Sequence, residues 1–289
     1  MERVHYILGL PRTCSTVLAR VLSQNPRIFA TNTCGTPSFI KACDEVVTGG
    51  REFAAMNMEQ LNNCYKNFLY NGMKGWYETL TDKPIILSKS KLWINHLTHA
   101  FSFDEKSKYI VTVRDLRDII CSYETMTWKY PYLSSTHNIE PFQARVQTIT
   151  DPNKDVKLGP WLIRLPSLME MVSKEPNKFM FIRQEDFTKH PVPILKDIYT
   201  FLEEDYFTHN LNDIPDAPYL ENDTVYMQPI SHEVRKKLEN IKPRWPLKLT
   251  KEESDYILET FDWYYNLFYP EELEQKTVVA LNEVRRIKN

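Results

Sequence analysis

Residues Val4 to Leu8 are apolar or aromatic except for His5, and the run breaks at once into the polar loop Gly9-Leu10-Pro11-Arg12-Thr13-Cys14-Ser15-Thr16. A short, near-continuous apolar run is what a parallel strand buried on both faces requires. Beyond the loop, Val17, Leu18, Val21 and Leu22 recur at helical spacing until Asn25-Pro26, where the proline and its restriction on Asn25 end the helix. A strand that turns directly into a helix reads as the start of an α/β fold. It points the helix's unpaired N–H groups and positive dipole end over the edge of the sheet, where an anion can sit. Arg12 and the hydroxyls of Thr13, Ser15 and Thr16 share that turn, a donor set suited to a doubly charged oxyanion. The same side chains are also ordinary helix caps. The loop is not a nucleotide-binding Walker A sequence, because Cys14-Ser15-Thr16 stands where that pattern needs a lysine followed by a hydroxyl residue.

The pattern recurs. Ile28-Phe29-Ala30 reads as a second short strand followed by the turn-like Thr31-Asn32-Thr33-Cys34-Gly35-Thr36-Pro37, and 38–80 as mainly helical, with a break at Gly49-Gly50 and Leu61, Tyr65, Phe68 and Leu69 on one face. Lys83-Pro84-Ile85-Ile86-Leu87-Ser88-Lys89 is a compact apolar run ending in a lysine. Ligands of open parallel sheets gather at the strands' carboxyl ends, so Lys89 is placed to meet what the first loop holds. A β-branched run, Tyr109 to Val113, passes straight into Arg114-Asp115 and an amphipathic helix, on which i+3 and i+4 spacing turns Ser122 back toward Arg114. From 124 to 160 the sequence is irregular, Thr-rich and aromatic, and is expected to form a lid-like insertion over an acceptor. Helices are expected from Trp161 to Ser173, from about Pro193 to Glu203, and from Thr250 through Tyr265, with a strand over Lys178–Arg183; the last helix opens on a Thr250/Glu253 capping box.

A length of 289 residues suits one large domain or two small ones. Thirty-six basic against 38 acidic side chains give a net charge of -2, so neither a nucleic-acid polymer nor an anionic membrane is expected as partner. No leader is expected ahead of the first strand, and no apolar run reaches the length of a membrane span. Five cysteines without a CxxC pair or a metal spacing with histidine fit a reducing cytoplasmic setting and no metal.

Taken together, these segments resemble the sulfotransferases that use 3'-phosphoadenosine 5'-phosphosulfate (PAPS), with the tyrosylprotein-type branch nearest in motif style. Gly9 to Thr16 resembles the family's 5'-phosphosulfate loop, Val113-Arg114-Asp115 with Ser122 its 3'-phosphate motif, and Phe181-Ile182-Arg183-Gln184-Glu185-Asp186-Phe187 a further family stretch. The resemblance implies one domain over 1–289 of P-loop nucleoside-kinase-like architecture, a mostly parallel sheet flanked by helices. It implies a sulfonate transferred from PAPS to a hydroxyl or amine of a small-molecule, sugar or peptide acceptor, leaving 3',5'-ADP. Arg12, Thr13, Cys14, Ser15 and Thr16 would then hold the 5'-phosphosulfate, Arg114 and Ser122 the 3'-phosphate, and Lys89 with Arg12 would stabilise the transferring group.

Three departures stand out. Cys14 occupies the usual glycine position, Gln184 replaces a tyrosine, and the loop after the second strand lacks the glutamate that serves as base in the tyrosylprotein branch. Asp44, Glu45, His96 and His99 are the candidates left for that role. The rival readings are a nucleotide kinase of related architecture, which the missing Walker lysine disfavours, and a nucleotide-binding protein of this fold without activity.

Overall fold

Strand β1 (Arg3–Gly9) is buried along all but its first residue and sits at the centre of a five-stranded sheet. The computed structural model describes residues 1–129, 140–154, 157–216 and 236–274. Strands β2 (Ile28–Ala30), β3 (Ile85–Lys89), β4 (Tyr109–Val113) and β5 (Phe179–Arg183) complete the order β2-β3-β1-β4-β5. Every pairing is parallel, with Tyr6 opposite Tyr109 on one side of β1 and Ile7 opposite Lys89 on the other. All five carboxyl ends therefore open on one edge.

The helices are α1 (Ser15–Leu22), α2 (Thr36–Gly49), α3 (Arg51–Ala54), α4 (Met58–Leu80), α5 (Leu97–Phe103), α6 (Leu116–Lys129), α7 (Phe142–Thr150), α8 (Gly159–Leu162), α9 (Leu165–Lys174), α10 (Gln184–Lys189), α11 (Pro191–Leu202), α12 (Lys251–Thr260) and α13 (Asp262–Phe268). Alternation along the strands divides the core. Ile7, Ile85, Leu87, Ile110 and Ile182 face α1 and α11, whereas Tyr6, Leu8, Ile86, Tyr109 and Val111 face the side holding α4, α6 and α13. The helices that follow the neighbouring strands β1 and β4 thus pack on opposite faces, which opens a crevice at their carboxyl ends.

Several local expectations are revised. Phe68 is 65% exposed, because the buried stripe of α4 runs Leu61, Leu69, Met73 and Tyr77 and leaves Phe68 on its flank. The region 124–160 is less irregular than its composition suggests: α6 continues to Lys129 and α7 buries Phe142, Val146 and Ile149, while 130–139 and 155–156 lie outside the described residues. The helix expected from Trp161 is split into α8 and α9, and the closing one breaks at Phe261. Its capping box is present, with Glu253 N–H donating to Thr250 Oγ1 at 3.2 Å and Thr250 N–H to Glu253 Oε2 at 2.9 Å. No helix among the described residues is long and apolar enough to cross a membrane.

Candidate functional site

The loop after β1 is shaped by backbone conformations that side chains resist. Gly9 has φ 138°, and a Cβ there would overlap the Thr112 carbonyl on β4, so only glycine lets the two strands approach this closely. Arg12 (φ 68°) and Cys14 (φ 60°) are both left-handed, a region costing a non-glycine residue about 1–2 kcal/mol each. Thr13 anchors the turn from beneath: its buried hydroxyl donates to the Leu10 carbonyl at 2.7 Å and lies 2.7 Å from Thr112 Oγ1. Cys14 is the N-cap of α1 without a side-chain cap bond, and no acidic residue occupies the first turn. The positive end of a helix so arranged favours negative charge.

Cations converge on that end. Lys89, at the tip of β3 and 9% exposed, donates from Nζ to Thr16 Oγ1 at 2.9 Å, so the third strand's lysine does reach the first loop. Arg12 Nε donates to Ser122 Oγ at 3.0 Å, and Arg114 Nη1 donates to the Arg12 carbonyl at 3.1 Å. Ser122 therefore meets Arg12 rather than Arg114, whose guanidinium is turned toward Asp118 (Nη2 to Oδ2, 3.1 Å). Desolvation presses the Arg12 pKa down, and the Arg114 and Arg244 charges add to it. Arg114 Nε is buried with no partner, an unmet donor beside this group of positive charges.

Arg244 went unnoticed in the sequence. It is brought in by Asp118, whose Oδ1 accepts from the Arg244 and Trp245 backbone N–H groups at 2.8 and 3.0 Å while Oδ2 holds Arg114. The only sequence signal is the acid one helical turn after Arg114. Behind the site, Tyr264 Oη donates to the Arg114 carbonyl at 2.8 Å and Tyr265 Oη to Asp115 Oδ1 at 2.8 Å, so α13 fixes the backbone at the start of α6. Glu185, raised in pKa by burial, accepts from Asp115 N–H and Tyr269 Oη; Gln184 is buried with its Oε1 unpartnered.

Of the four candidates for a base, three meet in space. Asp44 Oδ1 lies 3.1 Å from His99 Nε2 and accepts from Tyr65 Oη at 2.6 Å, and the His96 and His99 rings are 5.9 Å apart. Burial lowers the His96 pKa. Glu45 stands apart, on the surface 3.8 Å from Lys41.

The sulfotransferase domain model matches residues 4–244 of the chain. Among solved structures, the sulfotransferase domain from the curacin biosynthetic pathway is similar over 91% of this chain and 98% of that one, with 16% identity and a TM-score of 0.59. The sulfotransferase domain from the Synechococcus PCC 7002 olefin synthase is similar over 90% of this chain and 94% of that one, with 15% identity and a TM-score of 0.54. At such identities the likeness is one of fold. No curated protein sequence matches the chain significantly.

Proposed function

This chain belongs to the sulfotransferase family and is a sulfonate-transferring enzyme, and from that premise we propose that its donor is PAPS, bound where the loop after β1 meets the start of α6. The Arg12–Ser122 hydrogen bond carries the proposal, because it joins the two expected phosphate sites into one cationic crevice. The donor set fits a ligand with phosphate at both ends. Arg114 Nε is buried and unmet on one side, and on the other the first turn of α1 carries no side-chain cap bond and no acidic residue.

When bound, PAPS supplies a sulfonate already attached to a phosphate leaving group. Arg12 and the amides of the loop bind the 5'-phosphosulfate, while Arg114 binds the 3'-phosphate, its direction set by Asp118. Ser122 holds Arg12 in place and offers its hydroxyl to the same anion. Lys89, held at Thr16, stabilises charge that grows on the sulfonate oxygens and on the departing oxygen. These cations are in position before the reaction, so little reorganisation opposes it. The acceptor is a hydroxyl or amine of a small molecule, sugar or peptide.

Calorimetric titration with 3',5'-ADP, 5'-AMP and ATP tests the donor. The expected order has 3',5'-ADP tightest, and a preference for ATP would overturn the assignment in favour of a kinase.

A further inference from the structure

Asp44, His96 and His99 form a second constellation, apart from the phosphate-site cations, on the segments that follow β2 and β3. Their ligand atoms all lie within 4.8 Å of one another. We propose that these three side chains bind one divalent ion of the zinc class, which braces α2 against α5.

Two imidazoles and a carboxylate are a set that zinc accepts, leaving a fourth position for water. Tetrahedral ligands about 2.0–2.1 Å from zinc stand roughly 3.3 Å from each other. Asp44 Oδ1 and His99 Nε2 are already 3.1 Å apart, the spacing of adjacent ligands. The widest pair must close by roughly 1.5 Å, within reach of side-chain rotation.

The backbone prepares the set. His96 follows the 3-10 turn Lys91–Asn95, and its carbonyl accepts from Ala100 N–H at 3.0 Å, which starts α5 and puts His99 three residues on, over the same face. Tyr65 Oη, reaching from α4, holds the carboxylate at 2.6 Å in the manner of the outer-shell donors that orient metal ligands.

The experiment uses the full chain stripped of metal by chelation and titrated with Zn²⁺ against a competing chelator, with Mg²⁺ in parallel. One equivalent of Zn²⁺ should bind and raise the melting temperature, and Mg²⁺, which prefers oxygen ligands, should do neither. Asp44→Asn, His96→Ala and His99→Ala should each weaken zinc by about tenfold or more while melting as the parent does when both are metal-free. Any one of the three that folds is enough to decide. Cys43 is the competing ligand, so Cys43→Ser should leave affinity unchanged, and the Co²⁺ adduct should lack a thiolate charge-transfer band. The proposal falls if the parent binds no zinc saturably, if the three substitutions leave affinity intact, or if Cys43→Ser abolishes it.

Discussion

Arg12 Nε and Ser122 Oγ, separated by 110 positions in the chain, are joined by a 3.0 Å hydrogen bond across the crevice between the β1 loop and α6. The guanidinium is thereby held in one direction before any anion arrives. Removing the hydroxyl frees a flexible cation and deletes one donor to the ligand. Ser122→Ala should weaken 3',5'-ADP by about tenfold, the equivalent of one charge-assisted hydrogen bond. Ser122→Thr, which keeps the hydroxyl, should stay near the parent in the same titration. If the alanine variant binds normally, the two halves of the site are not coupled through this contact.

Cys14 tests the loop's strain. At φ 60° and ψ 17° it occupies a conformation that glycine adopts freely. Cys14→Gly should therefore stabilise the protein by about 1 kcal/mol, after part of the relief is returned to the greater freedom of the unfolded chain. For a chain of this size that is a melting temperature higher by roughly 2 °C. Cys14→Ala keeps the Cβ and should bring no such gain. Thermal unfolding of the two variants side by side distinguishes relief of strain from loss of the thiol.

Lys89 separates binding from catalysis. Its ammonium is held by Thr16 at the tip of β3, on the side of the loop away from Arg114's strand. Lys89→Met retains the length of the side chain and removes the charge. Turnover at saturating PAPS, measured with the best acceptor from a panel of phenols, sugars and peptides, should fall by about 10²–10³-fold. Affinity for 3',5'-ADP, which lacks the sulfonate, should change by less than about threefold, as expected of a group acting on the transition state. An equal loss in both would make Lys89 a binding residue only.

The strands and the order of the motifs were readable because they rest on local signals: apolar runs, the prolines at Pro26 and Pro84, and cationic turns at strand ends. What joins them was not. Ser122 was read as facing Arg114, but the rotamer that carries Arg114 toward Asp118 depends on Asp118 also gathering in the chain at Arg244, 126 residues away. Nor does spacing reveal that Asp44 meets His99, because that contact follows from α2 and α5 packing after neighbouring strands. The stripe of α4 misled at Phe68 for a related reason: an apolar residue at the flank of a helical face satisfies the periodicity whether or not a neighbour covers it.

His5 sets a pH limit on the fold itself. It lies fully buried in β1, where Nδ1 accepts from Lys108 N–H at 3.1 Å and Nε2 has no partner. Burial, with the Arg3 and Lys108 charges adding and Glu203 opposing, pushes its pKa down from 6.5 to about 4. In the unfolded chain the ring titrates near its ordinary value. Between the two values the unfolded state therefore binds one more proton than the native state, and stability rises with pH across that window. The sign is that of a base kept neutral: its contribution is complete above about pH 6.5 and is lost progressively as pH falls to about 4, by about 3 kcal/mol in total. His209, also lowered to about 4 by burial, adds a parallel loss. His5→Asn keeps an acceptor near Lys108 N–H and removes the titrating ring, at some cost in overall stability. In denaturant unfolding from pH 6.5 to 4, the variant's stability should fall less steeply than the parent's, by up to one proton's worth of slope. His209 and the carboxylates act in both chains and cancel in that difference, so parallel curves would mean that His5 is protonated in the native fold.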